Sequence, residues 1–171
     1  MVAGSVSAAL LTSLPQLLRP AESPQVAVER IAAAVRKSAI PSLWRVSLRR
    51  LLLEEDSAEI VAVWSAAPTA LEPGVRMSLV ATGIPELLAA RRPTFRNEND
   101  DNRMLDGILS SEGVASWVTI PLSKQEMLRA VLTLSSFEPE GVMVEDREFY
   151  ASLGQAVEER LVALLDEELG T

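Results

Sequence analysis

Most side chains that carry protein chemistry are either missing from this chain or placed where they would do little. Its 171 residues include no histidine and no cysteine. That removes thiolate nucleophiles, imidazole bases, disulfides and nearly all zinc or haem ligation. Carboxylates do cluster, at Glu54-Glu55-Asp56, at Asp100-Asp101 and at Glu167-Glu168. Each cluster is expected in a turn or on a helix surface, in water, where nothing raises a carboxyl pKa for acid–base work. Ser110 and Ser111 have no histidine to activate them, and no spacing couples them to Lys37 or Lys124. The polar run at 97–102 lacks the alternating ligand register and the distal bidentate glutamate of a calcium loop. Gly83 and Gly113 stand alone rather than in a phosphate-cradling loop. The sequence thus predicts no enzyme, no metal site and no cofactor.

A different signal lies in two adjacent β-like runs. In the first, Ala115, Trp117 and Thr119 point one way, and Ser116, Val118, Ile120 and Leu122 the other. In the second, Val131, Thr133 and Ser135 share a face opposite Leu132 and Leu134. One sheet face is therefore aliphatic and suited to covering helices. The other mixes a tryptophan with hydroxyls, which is the composition of a small-molecule site. Threonine as a good strand residue and tryptophan as core filler would produce the same pattern, and Trp44 and Trp64 share that ambiguity.

Several elements must position these runs. Hydrophobic residues make up 48% and charged residues 23%, so a folded domain with its own core is expected. A net charge of −8 argues against nucleic acid and anionic membrane as partners. No basic residue precedes Arg19, and no apolar run approaches the roughly 18 residues of a membrane span, so a cytoplasmic location is expected. Val6, Leu10, Leu14, Leu17 and Leu18 mark a first helix with a kink or break at Pro15. Ser23 and Pro24 start a second, carrying Val28, Ile31, Ala32 and Val35 to about residue 38. A hairpin follows, in which Trp44, Val46 and Leu48 alternate with Arg45, Ser47 and Arg49. Beyond it come a short strand at 75–80, a short helix at 84–91, a strand at Thr94-Phe95-Arg96, and a helix with Met104, Leu105 and Ile108. The two strong strands and a helix from about 146 to 168 complete the chain. Strands arrive in adjacent pairs, which predicts an antiparallel α+β layer fold.

Six segments in this order are Leu71-Glu-Pro-Gly, Ile84-Pro-Glu-Leu-Leu, Arg92-Pro-Thr-Phe, Gly113-Val-Ala-Ser-Trp-Val-Thr-Ile-Pro-Leu, Ala130-Val-Leu-Thr-Leu-Ser-Ser and Glu145-Asp-Arg-Glu-Phe-Tyr. From residue 24 to 165 the chain resembles a GAF domain, a small-ligand-sensing and dimerising module of signalling proteins. The resemblance implies a GAF-like antiparallel sheet with terminal helices packed on one face and short helices and loops closing a pocket on the other. Residues 1–22 would form an N-terminal helix and linker, and 23–171 the sensory domain. The chain lacks the cysteine and histidine of bilin-binding relatives, the Asn-Lys of cyclic-nucleotide binders, the cysteines of GAF-type methionine sulfoxide reductases and the histidine of haem sensors. What remains is an unidentified small organic ligand. It is expected between Trp117, Thr119, Thr133 and Ser135 on the sheet and Met104, Leu105 and Ile108 on a covering helix, with Phe95 at the margin and 97–102 as lid. The function implied is a non-enzymatic sensory module in signal transduction, relaying through its terminal helices to a separate partner such as a kinase or transcription regulator. The alternative is a ligand-free structural dimerisation domain. A homodimer is expected on the stripe Leu153, Val157, Leu161, Leu164 and Leu165 together with the first helix.

Overall fold

Short local signals start the helices, and burial decides how far they run. The computed structural model describes residues 4–79, 87, 89–97 and 113–170. Helix α1 spans Gly4–Leu18 and continues through Pro15 rather than breaking there. Proline costs a helix one hydrogen bond, but Leu14 and Leu18 on either side are fully buried and hold the segment in place. Helix α2, Pro24–Ser38, begins where the Ser23 hydroxyl accepts the Val26 N–H at 3.2 Å, with Pro24 in the first turn. The Ala39 N–H closes it by returning to the Val35 carbonyl. The long helix α3 spans Arg147–Gly170.

The strands are β1 Leu43–Leu52, β2 Ser57–Ser65, β3 Arg76–Ser78, β4 Thr94–Asn97, β5 Ser116–Lys124 and β6 Met127–Ser136. They form one six-stranded sheet in the order β3-β2-β1-β6-β5-β4, and every neighbouring pair is antiparallel. This is the predicted α+β arrangement. The expected strand at 75–80 shortens to β3, and of the expected helix at 84–91 only Leu87, Ala89 and Ala90 are described as helical. Met104, Leu105, Ile108 and the rest of the lid beyond Asn97 lie outside the described residues.

The β5–β6 turn is only two residues long. Gln125 and Glu126 take φ values of 53° and 65°, the left-handed pair of a type I′ hairpin turn. Neither residue favours that conformation, whereas Asn-Gly does. Replacing Gln125-Glu126 by Asn-Gly is expected to raise stability by about 1 kcal/mol, measured by urea unfolding; a loss of stability would contradict the turn assignment.

The aliphatic sheet face of Val46, Leu48, Ala62, Val118, Ile120, Leu122, Ala130, Leu132 and Leu134 packs into one core with α2 and α3. Where α3 crosses β5 it carries Gly154, whose missing Cβ would fall 2.7 Å from the Ile120 Cγ2. Helix α1 lies over α2 and α3 and joins the same core through Leu10, Leu14 and Leu18. Its last carbonyls and the segment just after it are held by arginines from both neighbours. Arg30 Nη1 donates to Leu17 O at 3.0 Å, and Arg160 donates to Leu18 O and Ala21 O at 3.4 and 2.6 Å.

This layer changes the expected interchain contact. Leu153, Val157, Leu161, Leu164 and Leu165 are all buried within the single chain. The stripe that looked too broad for one sheet is covered on its other side by α1. Its apolar surface is already removed from water within the chain.

The far end of α3 is tied to the β5–β6 hairpin. Asp166 accepts from Lys124 Nζ at 2.8 Å and from Arg129 Nη2. The Lys124 hydrogen bond is the main reason its carboxyl sits below the usual aspartate range, with Arg129 adding to it. A depressed carboxyl pKa gives stability that is present above the ordinary value of 3.8 and fades as pH falls through the lowered folded value. Asp166→Asn should therefore cost about 0.5–1 kcal/mol at neutral pH, with the difference from the parent chain vanishing in strong acid. Equal melting temperatures at pH 7 would refute the clamp. No helix among the described residues is long and apolar enough to cross a membrane.

Candidate functional site

The sheet face turned away from the helices is polar and buried at once. In antiparallel pairs, residues opposite each other share a face. One row across the sheet therefore runs Arg96, Trp117, Ser135 and Arg45, and the next runs Thr94, Thr119, Thr133 and Ser47. Arg49 on β1 faces the same way, opposite Val131 of β6. Arg45, Ser47, Arg49, Trp117, Thr133 and Ser135 are each at most 3% exposed, and Thr119 is 7% exposed. Because β1 and β6 sit mid-sheet, their side chains on this face are shielded on both flanks.

Three features define what this face can do. It carries arginine side chains, which stay charged at any physiological pH and present a rigid fork of donors. The Arg45 Nη1 donates to the Thr69 hydroxyl on the loop after β2, and the same hydroxyl accepts the Leu71 N–H at 3.2 Å. It also carries hydroxyls that are not used up. Thr133 Oγ1 lies 3.5 Å from Thr119 Oγ1, a marginal hydrogen bond. Ser47 Oγ and Ser135 Oγ are buried with no hydrogen-bond partner. A buried hydroxyl left in that state costs about 1–3 kcal/mol. Finally, the indole of Trp117 supplies a broad apolar surface beside Val114. This mixture of an indole, hydroxyls and charged forks is the composition of a small-molecule site. Among the described residues there is no group of three acidic, histidine or cysteine side chains able to hold a metal ion.

The structure brings Trp117, Thr119, Thr133 and Ser135 together as two directly opposed pairs, Trp117 with Ser135 and Thr119 with Thr133. Phe95 does not join them. It pairs with Val118 and meets Tyr150 of α3 edge-on at 5.6 Å, which puts it on the helix face. A strand of four residues reveals its parity only through pairing, and the pairing gives Arg96 and Thr94 to the site instead. Trp64 lies under the Arg36 guanidinium of α2 at 5.6 Å, and Trp44 meets Phe137 edge-on at 5.4 Å, so neither neighbours Trp117. The residues that sequence reasoning passed over are Arg45, Ser47, Arg49, Thr94 and Arg96. The alternation in β1 set Arg45, Ser47 and Arg49 on one face; it held no sign that this face was covered.

An open cleft of about 550 Å³ lies at the sheet margin, between β4 and the first turn of α3, lined in part by Arg92, Phe95, Arg96, Val144 and Arg147. Close to it, Tyr150 is fully buried, and its hydroxyl has no hydrogen-bond partner. Burial, and then the nearby charge of Asp146, push its pKa well above the ordinary phenol value, so it stays neutral. Removing an unsatisfied buried hydroxyl removes a penalty, so Tyr150→Phe should be neutral or stabilising by up to about 1 kcal/mol. A loss above that in chemical denaturation would reveal a partner for the phenol.

No protein-family model matches the sequence, and no curated protein does. Solved structures do match. The free methionine-R-sulfoxide reductase of Neisseria meningitidis, solved with its substrate, superposes with a TM-score of 0.74 at 15% identity, covering 98% of this chain and 96% of that one. The GAF domain of an Acinetobacter phosphoenolpyruvate-protein phosphotransferase gives 0.72 at 12% identity, over 95% and 96% of the two chains. The phycoerythrobilin-bound GAF domain of a cyanobacterial phytochrome gives 0.71 at 14% identity, over 97% and 100%. This chain has the GAF fold.

The absence of histidine and cysteine predicted that the chain is not an enzyme, yet a GAF-fold structure matching 98% of it is a reductase. The fold over this full length is therefore compatible with catalysis, and the exclusion does not stand. What composition does limit is the means: with no cysteine in the sequence, a reaction here would not run on a thiolate of this chain.

Proposed function

We propose that this GAF-fold chain is a sensory module that holds a small organic molecule against Trp117, Thr119, Thr133 and Ser135. The observation that carries the proposal is the pair of buried, unpartnered hydroxyls at Ser47 and Ser135 in the middle of a covered face. Native interiors satisfy such groups, so two left open on one face call for a partner, and a bound molecule is the partner this reading supplies. The relay follows from strand alternation. Ser47 lies between Val46 and Leu48, and Thr133 between Leu132 and Leu134, and these apolar neighbours pack with α2 and α3. A ligand that prefers one placement of β1 and β6 would shift the helices behind them and alter a separate signalling partner. In this reading a homodimer would rest on the outer sides of α1 and α3, where Leu17 and Leu169 stay exposed, and not on the buried stripe.

A second reading is favoured by one observation. Trp117 is itself only 1% exposed, which suits a face already filled by side chains and a purely structural role. Thermal-shift screening against a metabolite library separates the two. The sensory reading predicts a saturable rise in melting temperature with some compound, corresponding to about 2.7 kcal/mol at a hundredfold excess over Kd. Recovered hits are then checked by mass spectrometry for chemical change. No shift across the library supports the structural role.

A further inference from the structure

We propose that the open cleft between β4 and α3 is a docking groove for an extended acidic peptide of a partner protein, which adds to β4 as a seventh strand of the sheet. This goes beyond the sensory reading and holds whether or not the polar face takes a ligand.

The sheet ends at β4, and no described strand lies beyond it. The opposite edge is blunted. There β3 is three residues long, and its Arg76 is tied to Glu55 at 2.8 Å and to Glu59 at 3.5 Å, the short, charged kind of edge that resists a further strand. Beside β4 lies instead the cleft of about 550 Å³, and a second of about 390 Å³ shares Phe95, Arg96 and Val144 with it. Together they make one groove between an edge strand and a helix. That pairing of elements is how a sheet takes up a peptide: the strand supplies main-chain hydrogen bonds, and alternate side chains of the guest fill the space beside it. The four residues of β4 extend about 13 Å, enough to pair a guest segment of the same length.

Charge selects the guest. Arg92, Arg96 and Arg147 line the larger cleft against Glu148 alone, in a chain whose net charge is −8. Arg96 is already engaged, since its Nη1 donates to the Phe95 carbonyl at 2.9 Å. Arg92 and Arg147 are exposed, and neither makes a hydrogen bond or ion pair among the described residues. Their planar forks are therefore free to take carboxylates of a guest, two oxygens at a time. Val144, a large apolar side chain left 48% exposed, adds an apolar contact on the groove wall. Because successive strand residues point to opposite sides, the guest is expected to alternate acidic with apolar residues.

The test pans the full chain against a display library of random octapeptides, then titrates the synthesised, fluorescently labelled winner at constant ionic strength. Acidic residues should be enriched, with apolar ones at alternate positions. Arg92→Glu and Arg147→Glu change exposed side chains, so melting temperatures should stay near the parent's while each variant weakens the peptide at least tenfold. Lys37→Glu makes the same charge change on an exposed residue of α2 that does not line the cleft, and it should leave binding unchanged. Methylating the backbone nitrogen of every second peptide residue should abolish binding in one register and spare it in the other, because only one edge of the guest meets β4. The proposal is overturned if no peptide is enriched, if the enriched peptides are not acidic, if Lys37→Glu weakens binding as much as Arg92→Glu, or if both methylated forms bind alike. Full displacement by succinate would assign the cleft to a small anion, and self-association that Arg92→Glu abolishes would assign it to a second copy of this chain; either result also overturns it.

Discussion

Val157→Glu and Leu161→Glu are each expected to unfold the chain, not to split a dimer. Both positions are fully buried between α1, α2 and the sheet. A carboxylate introduced there meets neither water nor a cation, and such a group costs about 4 kcal/mol or more. That is a large share of the roughly 5–15 kcal/mol that holds a domain of this kind together. Far-ultraviolet circular dichroism and urea unfolding would report loss of the native state or a sharply lowered midpoint. A folded monomer with a melting temperature near the parent's would contradict the packing of α1 over α3 and reinstate the interchain stripe.

Gly141→Ala should be nearly as damaging, through sterics alone. A Cβ at Gly141 would stand 1.9 Å from Ser136 Oγ, 2.4 Å from Ser136 Cβ and 2.7 Å from Ser42 Oγ. Rotating the hydroxyls cannot relieve the contact with the Ser136 Cβ, which is fixed to strand β6. The surrounding hydrogen bonds leave little slack. Ser42 and Ser136 share one at 2.8 Å, Ser116 Oγ donates to Glu138 O at 2.7 Å, and the Val142 N–H donates back to Ser116 Oγ at 3.1 Å. Moving the loop breaks this set, and moving β6 disturbs Ser135 beside it. A cost of about 3 kcal/mol is expected. Gly74 is the useful contrast, since it has open space around it and only its φ of +95° resists a side chain, so Gly74→Ala should cost about 1 kcal/mol. Equal effects at the two glycines would contradict the tight node.

The parts of this fold legible in the sequence are those set by local period. The alternation in β5 and β6 separated Val118, Ile120, Leu132 and Leu134 from Trp117, Thr119, Thr133 and Ser135, and the structure keeps that division. Ser23 and Pro24 marked the start of α2. What could not be read locally depends on which element neighbours which. The same period put Arg45, Ser47 and Arg49 together, but only the strand order, with β1 next to β6 in mid-sheet, shows that they are buried. Phe95 went to the wrong face because four residues do not reveal their own parity. The apolar stripe of α3 was read correctly, but its cover by α1 within the chain was not foreseen, since nothing local says that α1 folds back over it. Missing histidine and cysteine constrain mechanism, yet they did not exclude catalysis as a class.

An amide-resolved NMR titration with a compound that binds tests the proposed ligand face most directly. Saturable shifts should concentrate at Arg45, Ser47, Thr119, Thr133 and Ser135 and at the Trp117 indole, with smaller ones at the α2 and α3 residues packed behind β1 and β6. Shifts confined to the open cleft around Arg92 and Arg147, or confined to the helix face with the Trp117 indole unmoved, would contradict it.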